Sequence, residues 1–91
     1  MTREDFEKIY KQVEASGLKF AVYPKTFLVN VIDCDGITQS YYASTGTAMF
    51  RDGNDWKRNQ SKKVTGMSLD RFLYLCKGEG DEDIITLYFS I

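Results

Sequence analysis

The chain has 91 residues, with 12 basic side chains, 13 acidic side chains, two cysteines and no histidine. A chain of this length forms a single domain, residues 1–91, with a small core. Without histidine it can build no Ser-His-Asp or Cys-His pair and no histidine-bearing zinc site, and two cysteines cannot supply the four ligands of a structural zinc site. We therefore predict no catalytic residues, no metal site and no cofactor, and expect a protein that is not an enzyme.

The sequence also bears on location. No apolar run approaches the roughly 18 residues that a membrane-spanning helix needs. The N-terminal residues Met1-Thr2-Arg3-Glu4-Asp5 are charged and lead into an amphipathic pattern, unlike a signal peptide. We expect a cytoplasmic protein with reduced thiols and no membrane partner.

The first predicted element is a helix over residues 3–15. Thr2 has the character of an N-cap, and Asp5 follows three residues later, as in a capping box. One apolar stripe at helical spacing follows, formed by Phe6, Ile9, Tyr10 and Val13. Gly17 is suited to end the helix.

After Gly17 the hydrophobic period changes from 3.6 to 2, which predicts strands. Four strands are expected, with a turn at 33–36 joining the second and third as a hairpin: 18–23, 26–32, 37–43 and 47–51. Both faces of the second strand are largely apolar, which favours an inner strand covered on both sides. Residues 56–66 show neither period and are interpreted as a loop or an edge-strand pair ending near Val64.

A second helix is predicted from an N-cap at Ser68 to Gly78, followed by an acidic connector at 79–83. Alternating residues over 84–91 then predict a C-terminal strand. The resulting order is α-β-β-β-β-α-β. Short turns between consecutive strands imply an antiparallel sheet, so the fold class is α+β: a two-layer sandwich of about five strands with two helices.

Tyrosines on the predicted strands suggest a binding surface. Tyr41 and Tyr42 are adjacent and must point to opposite faces, while Tyr23 and Tyr88 fall on the more polar sides of their strands. Tyrosine-rich surfaces are typical of protein interfaces, although aromatic residues also suit half-buried strand positions. The first functional hypothesis is a small interaction or regulatory protein that binds a protein partner, or itself as a homodimer, through a sheet edge and a tyrosine-bearing face.

The alternative hypothesis is nucleic-acid binding by a basic segment, residues 51–63. Cations that neutralise phosphates and an aromatic ring that stacks on bases are its components: Arg51, Trp56, Lys57, Arg58, Lys62 and Lys63. A solvated loop whose tryptophan packs onto the core accounts for the same residues. The net charge of −1 also counts against a dedicated nucleic-acid binder.

The remaining chemistry-bearing residues indicate no reaction. Cys34 lies between Asp33 and Asp35, whose charges should raise its thiol pKa and disfavour a nucleophile. Cys76 falls on the apolar stripe of the second helix and is expected in the core. The acidic connector lacks the ligand spacing of an EF-hand.

Overall fold

A computed structural model of the protein describes residues 1–90. The helices and strands are α1 (Arg3–Ala15), β1 (Phe20–Tyr23), β2 (Leu28–Ile32), β3 (Thr38–Tyr42), β4 (Thr47–Arg51), β5 (Ser61–Val64), α2 (Leu69–Lys77) and a π-helical turn (Ile85–Phe89). The five strands form one antiparallel sheet in chain order, each paired with the next. The predicted α+β class, with an antiparallel five-stranded sheet and two main helices, is confirmed.

The two main helices begin where their caps predict. The Thr2 hydroxyl accepts a hydrogen bond from the Asp5 amide at 3.1 Å, and the Asp5 carboxylate accepts one from the Thr2 amide at 3.4 Å. The Ser68 hydroxyl accepts from the Arg71 amide at 3.1 Å, and Gly78 ends α2 with a φ of 65°. These contacts are local in sequence, which is why the sequence alone locates both helices.

The core lies between the two helices and one face of the sheet. Phe72 of α2 is central to it, with its ring centroid 5.1 Å from that of Tyr41 and 5.8 Å from that of Phe50. From α1, Phe6 and Val13 are buried against the same face. All strand residues of the buried core point to this side of the sheet, namely Val29, Val31, Tyr41, Ala48 and Phe50.

The predicted C-terminal strand is wrong, because residues Ile85–Phe89 form a helical turn. Asp83 stabilises it: one carboxylate oxygen accepts from the Thr86 amide at 2.7 Å and the other from the Thr86 hydroxyl at 2.9 Å. The turn also places Ile84 in the core and Tyr88 against it, four residues apart. Tertiary packing and this cap outweigh the β propensity of the segment. Ile91, the last residue of the predicted strand, lies outside the described residues.

The fifth strand comes instead from the segment without a clear period, and it ends at Val64 as the edge-strand interpretation has it. The chain order is therefore α-β-β-β-β-β-α followed by the π-helical turn. The second strand is shorter than predicted, because a turn occupies residues 24–27 and Phe27 has a φ of 51°, and the first strand begins at Phe20 instead of residue 18. Within residues 1–90, no helix is long and apolar enough to cross a membrane.

Candidate functional site

The face of the sheet opposite the helices is uncovered, and we call it the open face. Side chains alternate between the two faces along a strand, and residues paired across the ladder share a face. Because the core occupies one face, the pairing register assigns the other residues to the open face: Ala21, Tyr23, Leu28, Asn30, Ile32, Thr38, Ser40, Tyr42, Thr47, Met49, Arg51, Ser61 and Lys63.

The open face combines apolar, uncharged polar and cationic side chains. Tyr23 and Ile32 are 48% and 40% exposed, although both are large hydrophobic side chains. Arg51 and Lys63 supply positive charge, and none of the strand positions of this face, all within the described residues, carries Asp or Glu. The prediction that the second strand is covered on both sides is therefore wrong for its Leu28-Asn30-Ile32 side, where Leu28 and Asn30 are half-buried and Ile32 is exposed.

The four tyrosines predicted as a binding surface separate into two pairs. Tyr23 and Tyr42 lie on the open face. Both are paired with Leu28 of the strand between them, Tyr23 from β1 and Tyr42 from β3. Tyr41 lies on the core face, where its hydroxyl donates to the Met67 carbonyl at 2.7 Å and burial raises its pKa. Tyr88 belongs to the π-helical turn and stacks on a core phenylalanine. The hypothesis of a tyrosine-bearing surface thus retains Tyr23 and Tyr42 alone.

At one end of the sheet, β3 and β4 are joined by side chains instead of by backbone pairing. The pairing of β3 with β4 stops at Ser40 and Met49. Beyond it, the buried Gln39 amide accepts from the Arg51 amide at 2.6 Å and donates to the Arg51 carbonyl at 3.0 Å. On the open face, the Arg51 guanidinium donates to the Thr38 carbonyl at 3.1 Å and to the Ser40 hydroxyl at 3.0 Å. Arg51 is therefore fixed in place on the open face.

The basic segment does not form one patch. Arg51 and Lys63 lie on the open face, whereas Lys62 points to the opposite side of the edge strand. The loop between β4 and β5 carries the other three members: Trp56, Lys57 and Arg58.

Trp56 is 82% exposed, so the interpretation that its ring packs onto the core is wrong. The Lys57 ammonium lies 5.4 Å from the centroid of that ring. Arg58 pairs with the Asp55 carboxylate at 3.8 Å. A tryptophan this exposed buries almost none of its apolar surface, so packing within this chain does not explain its position.

The acidic residues near Cys34 stabilise a turn. Asp33 is buried, and its carboxylate accepts from the amides of Asp35 and Ile37 and from the side chain of Gln39. Partial burial, followed by the charges of Asp35 and Asp33, raises the pKa of the Cys34 thiol. Both effects favour the neutral thiol, as expected from the sequence.

The two edges of the sheet differ in composition. The edge strand β5 reads Ser61-Lys62-Lys63-Val64, whereas β1 reads Phe20-Ala21-Val22-Tyr23 and carries no charge. Edge lysines are a common defence against pairing with another chain. A cavity of about 260 Å³ opens on the open face beside β1.

The candidate surface is therefore the open face of the sheet, which is bordered by the lysine-bearing edge strand β5 and the uncharged edge strand β1. A scan against protein-family models and searches of curated proteins and of solved structures each found no match. Function therefore has to be inferred from the chemistry of these surfaces.

Proposed function

We propose that this protein is a small non-catalytic interaction module that binds a partner protein on its open face. The observation that carries the proposal is that a whole face of the sheet lies uncovered while bearing large apolar side chains. Exposed apolar patches on soluble proteins are commonly binding sites, since contact with a partner removes them from water.

The open face carries side chains of the types that interfaces use: Tyr23 and Ile32 are exposed, and Tyr42 and Met49 are half-buried. Tyr42 and Tyr23 give large contact areas at a small cost in side-chain entropy, and each has a hydroxyl for a directed hydrogen bond. Ile32 and Met49 add further apolar area on the same face. Their positions on adjacent paired strands make the surface rigid before binding, which lowers the entropic cost of association.

Charge indicates the chemistry of the partner. Arg51 is fixed by two hydrogen bonds and Lys63 extends from the edge strand, so the open face presents cations in defined positions. With no carboxylate at its strand positions, the face favours a partner surface that is apolar with acidic groups. Such electrostatic complementarity mainly increases the association rate and the specificity, and both depend on salt.

The experiment compares two double variants in capture from native lysate with photo-crosslinking. Ile32→Ser with Tyr42→Ser removes apolar area from the open face. Tyr74→Ser with Leu87→Ser is the matched control, because Tyr74 and Leu87 are 42% and 43% exposed on the helical side. We expect the first variant to lose the captured protein and the control to retain it. Equal capture by both variants, each shown to be folded by circular dichroism, would refute the open face as the site.

A second candidate function is binding of single-stranded nucleic acid, favoured by the exposure of Trp56 beside Lys57. A base stacked on this ring should quench its fluorescence, and Trp56 is the sole tryptophan of the chain. Titration with a single-stranded oligonucleotide at low salt should then show quenching that weakens as salt rises. An unchanged spectrum at low salt would exclude this role for the loop.

We also propose that the protein works in the cytoplasm, with both thiols reduced. In support, Cys34 and Cys76 are both free, and their environments favour the neutral thiol. Fractionation of the native cells with an antibody to the protein tests this, and recovery in a membrane or secreted fraction would contradict it.

A further inference from the structure

We infer that two copies of this chain pair along β1, antiparallel about a two-fold axis, to form one continuous ten-stranded sheet. This goes beyond the proposed function, because it concerns the edge of the sheet and commits to a second copy as the occupant.

The free edge of β1 presents unpaired backbone groups. The Ile32 amide donates to the Lys19 carbonyl at 2.9 Å, so Lys19 and Ile32 form a hydrogen-bonded pair. Hydrogen-bonded and non-hydrogen-bonded pairs alternate in an antiparallel ladder, so the next pair, Phe20 with Val31, is not hydrogen-bonded. The amides and carbonyls of Phe20 and Val22 therefore point away from β2, and no backbone partner for them is present in residues 1–90.

These outward groups fix the register of the pair. Phe20 of one copy aligns with Val22 of the second copy, so that each copy donates and accepts at both positions. Ala21 then lies opposite its own equivalent on the two-fold axis. This is a non-hydrogen-bonded position, where the two Cα atoms approach to about 4.5 Å, and the small side chain of Ala21 suits it.

Side chains on the open face are compatible with the same register. Lys19 faces Tyr23 of the second copy, a favourable pairing of a cation with an aromatic ring. The 260 Å³ cavity beside the edge is lined by Lys19, Ala21 and Ile32 and by the chain's own Tyr23, and the second copy's tyrosine ring arrives at its Lys19 end. The edge thus carries both the cavity and a side chain that reaches its rim from the second copy, and a two-fold contact repeats this arrangement on both copies. No acidic side chain and no like-charged pair meets across β1.

The test uses opposite charges at the two-fold axis. Ala21 is exposed on the open face, so Ala21→Glu and Ala21→Lys do not disturb the core. Each variant alone places like charges against each other, and we expect its dimer dissociation constant to rise by up to about fivefold. An equimolar mixture places opposite charges across the axis, and we expect it to recover dimers. Sedimentation velocity over a dilution series, from about 1 μM to about 1 mM, measures all three samples and the wild type.

A second measurement needs no variant. In the dimer the Phe20 and Val22 amides are hydrogen-bonded, so their hydrogen exchange should slow as protein concentration rises. The exchange rates of amides in loops away from β1 should not change with concentration. A wild-type protein that is monomeric at the highest concentration would overturn the inference. Failure of the mixture to recover dimers would overturn the register. Neither result bears on the proposal that a partner binds the open face, because lysate capture with the Ile32→Ser and Tyr42→Ser double variant tests that proposal separately.

Discussion

Replacing Gln39 should test whether its side-chain amide replaces part of the sheet ladder. Gln39 is fully buried and makes hydrogen bonds to the Arg51 amide, to the Arg51 carbonyl and to Asp33. Gln39→Met fills much of the same volume but removes all three. A buried polar group left without a partner costs about 1–3 kcal/mol; because the two Arg51 backbone groups are only partly buried, their loss of partners predicts about 2–3 kcal/mol. Against a total stability of roughly 5–14 kcal/mol for a domain of this length, that is a large fraction.

Urea unfolding followed by circular dichroism measures the effect as a lower midpoint. Gln12→Met is the matched control, because Gln12 is exposed on α1 and should change stability by no more than about 0.5 kcal/mol. Gln39→Glu adds a charge beside Asp33, so it should destabilise the protein more at about pH 7 than at about pH 4. At the lower pH the introduced carboxyl can be neutral and can donate a hydrogen bond to the Arg51 carbonyl, as the Gln39 amide does. A loss below about 1 kcal/mol for Gln39→Met would show that the amide is not needed to hold the sheet end.

Two further substitutions test other buried contacts. Tyr41→Phe should lower the free energy of unfolding by about 1–2 kcal/mol at neutral pH, because the Met67 carbonyl loses its donor. Burial raises the Tyr41 pKa above its unfolded value, so the neutral phenol stabilises the folded state. This stabilisation is lost as pH rises above about 10. Urea unfolding across this range should therefore show a shallower decline in the free energy of unfolding for Tyr41→Phe than for the wild type. Gly78→Ala should cost about 1–3 kcal/mol, because its φ is 65° and a β-carbon would overlap the Cys34 sulfur. Gly53→Ala, at an open position with no positive φ, is the control, and equal thermal melting of the two variants would contradict this reasoning.

The sequence predicted those parts of the fold whose determinants are local. The Thr2 cap and the Ser68 cap each lie within four residues of the groups they satisfy, so both helices were located. The C-terminal segment shows the opposite case. Its alternation favoured a strand, but Asp83 caps a helical turn and Ile84 fills the core, and only the folded chain brings that core to it.

The site was predicted less completely, because the pairing of the strands decides which face of the sheet each side chain occupies. Adjacent Tyr41 and Tyr42 had to lie on opposite faces, and they do, but the sequence could not say which one faces the helices. The exposure of Trp56 had no sequence signal, since a lone tryptophan in a polar segment is compatible with either environment. The role of Gln39 was also missed. Its side chain is buried and bonds the backbone of the neighbouring strand, but in the sequence it looks like an ordinary polar strand residue.

The difference between the two edges explains why pairing would stop at two copies. A two-fold contact along β1 uses both unprotected edges, leaving a β5 strand at each end of the ten-stranded sheet. There Lys62 and Lys63 point to opposite faces, so a third copy that pairs through its own β5 would bring lysines close together on one face or the other, depending on the register. The same contact joins the two open faces into one surface with Tyr23 near its centre. Self-association would therefore use the β1 side of the open face and leave the residues of β3 and β4 on that face accessible to a partner.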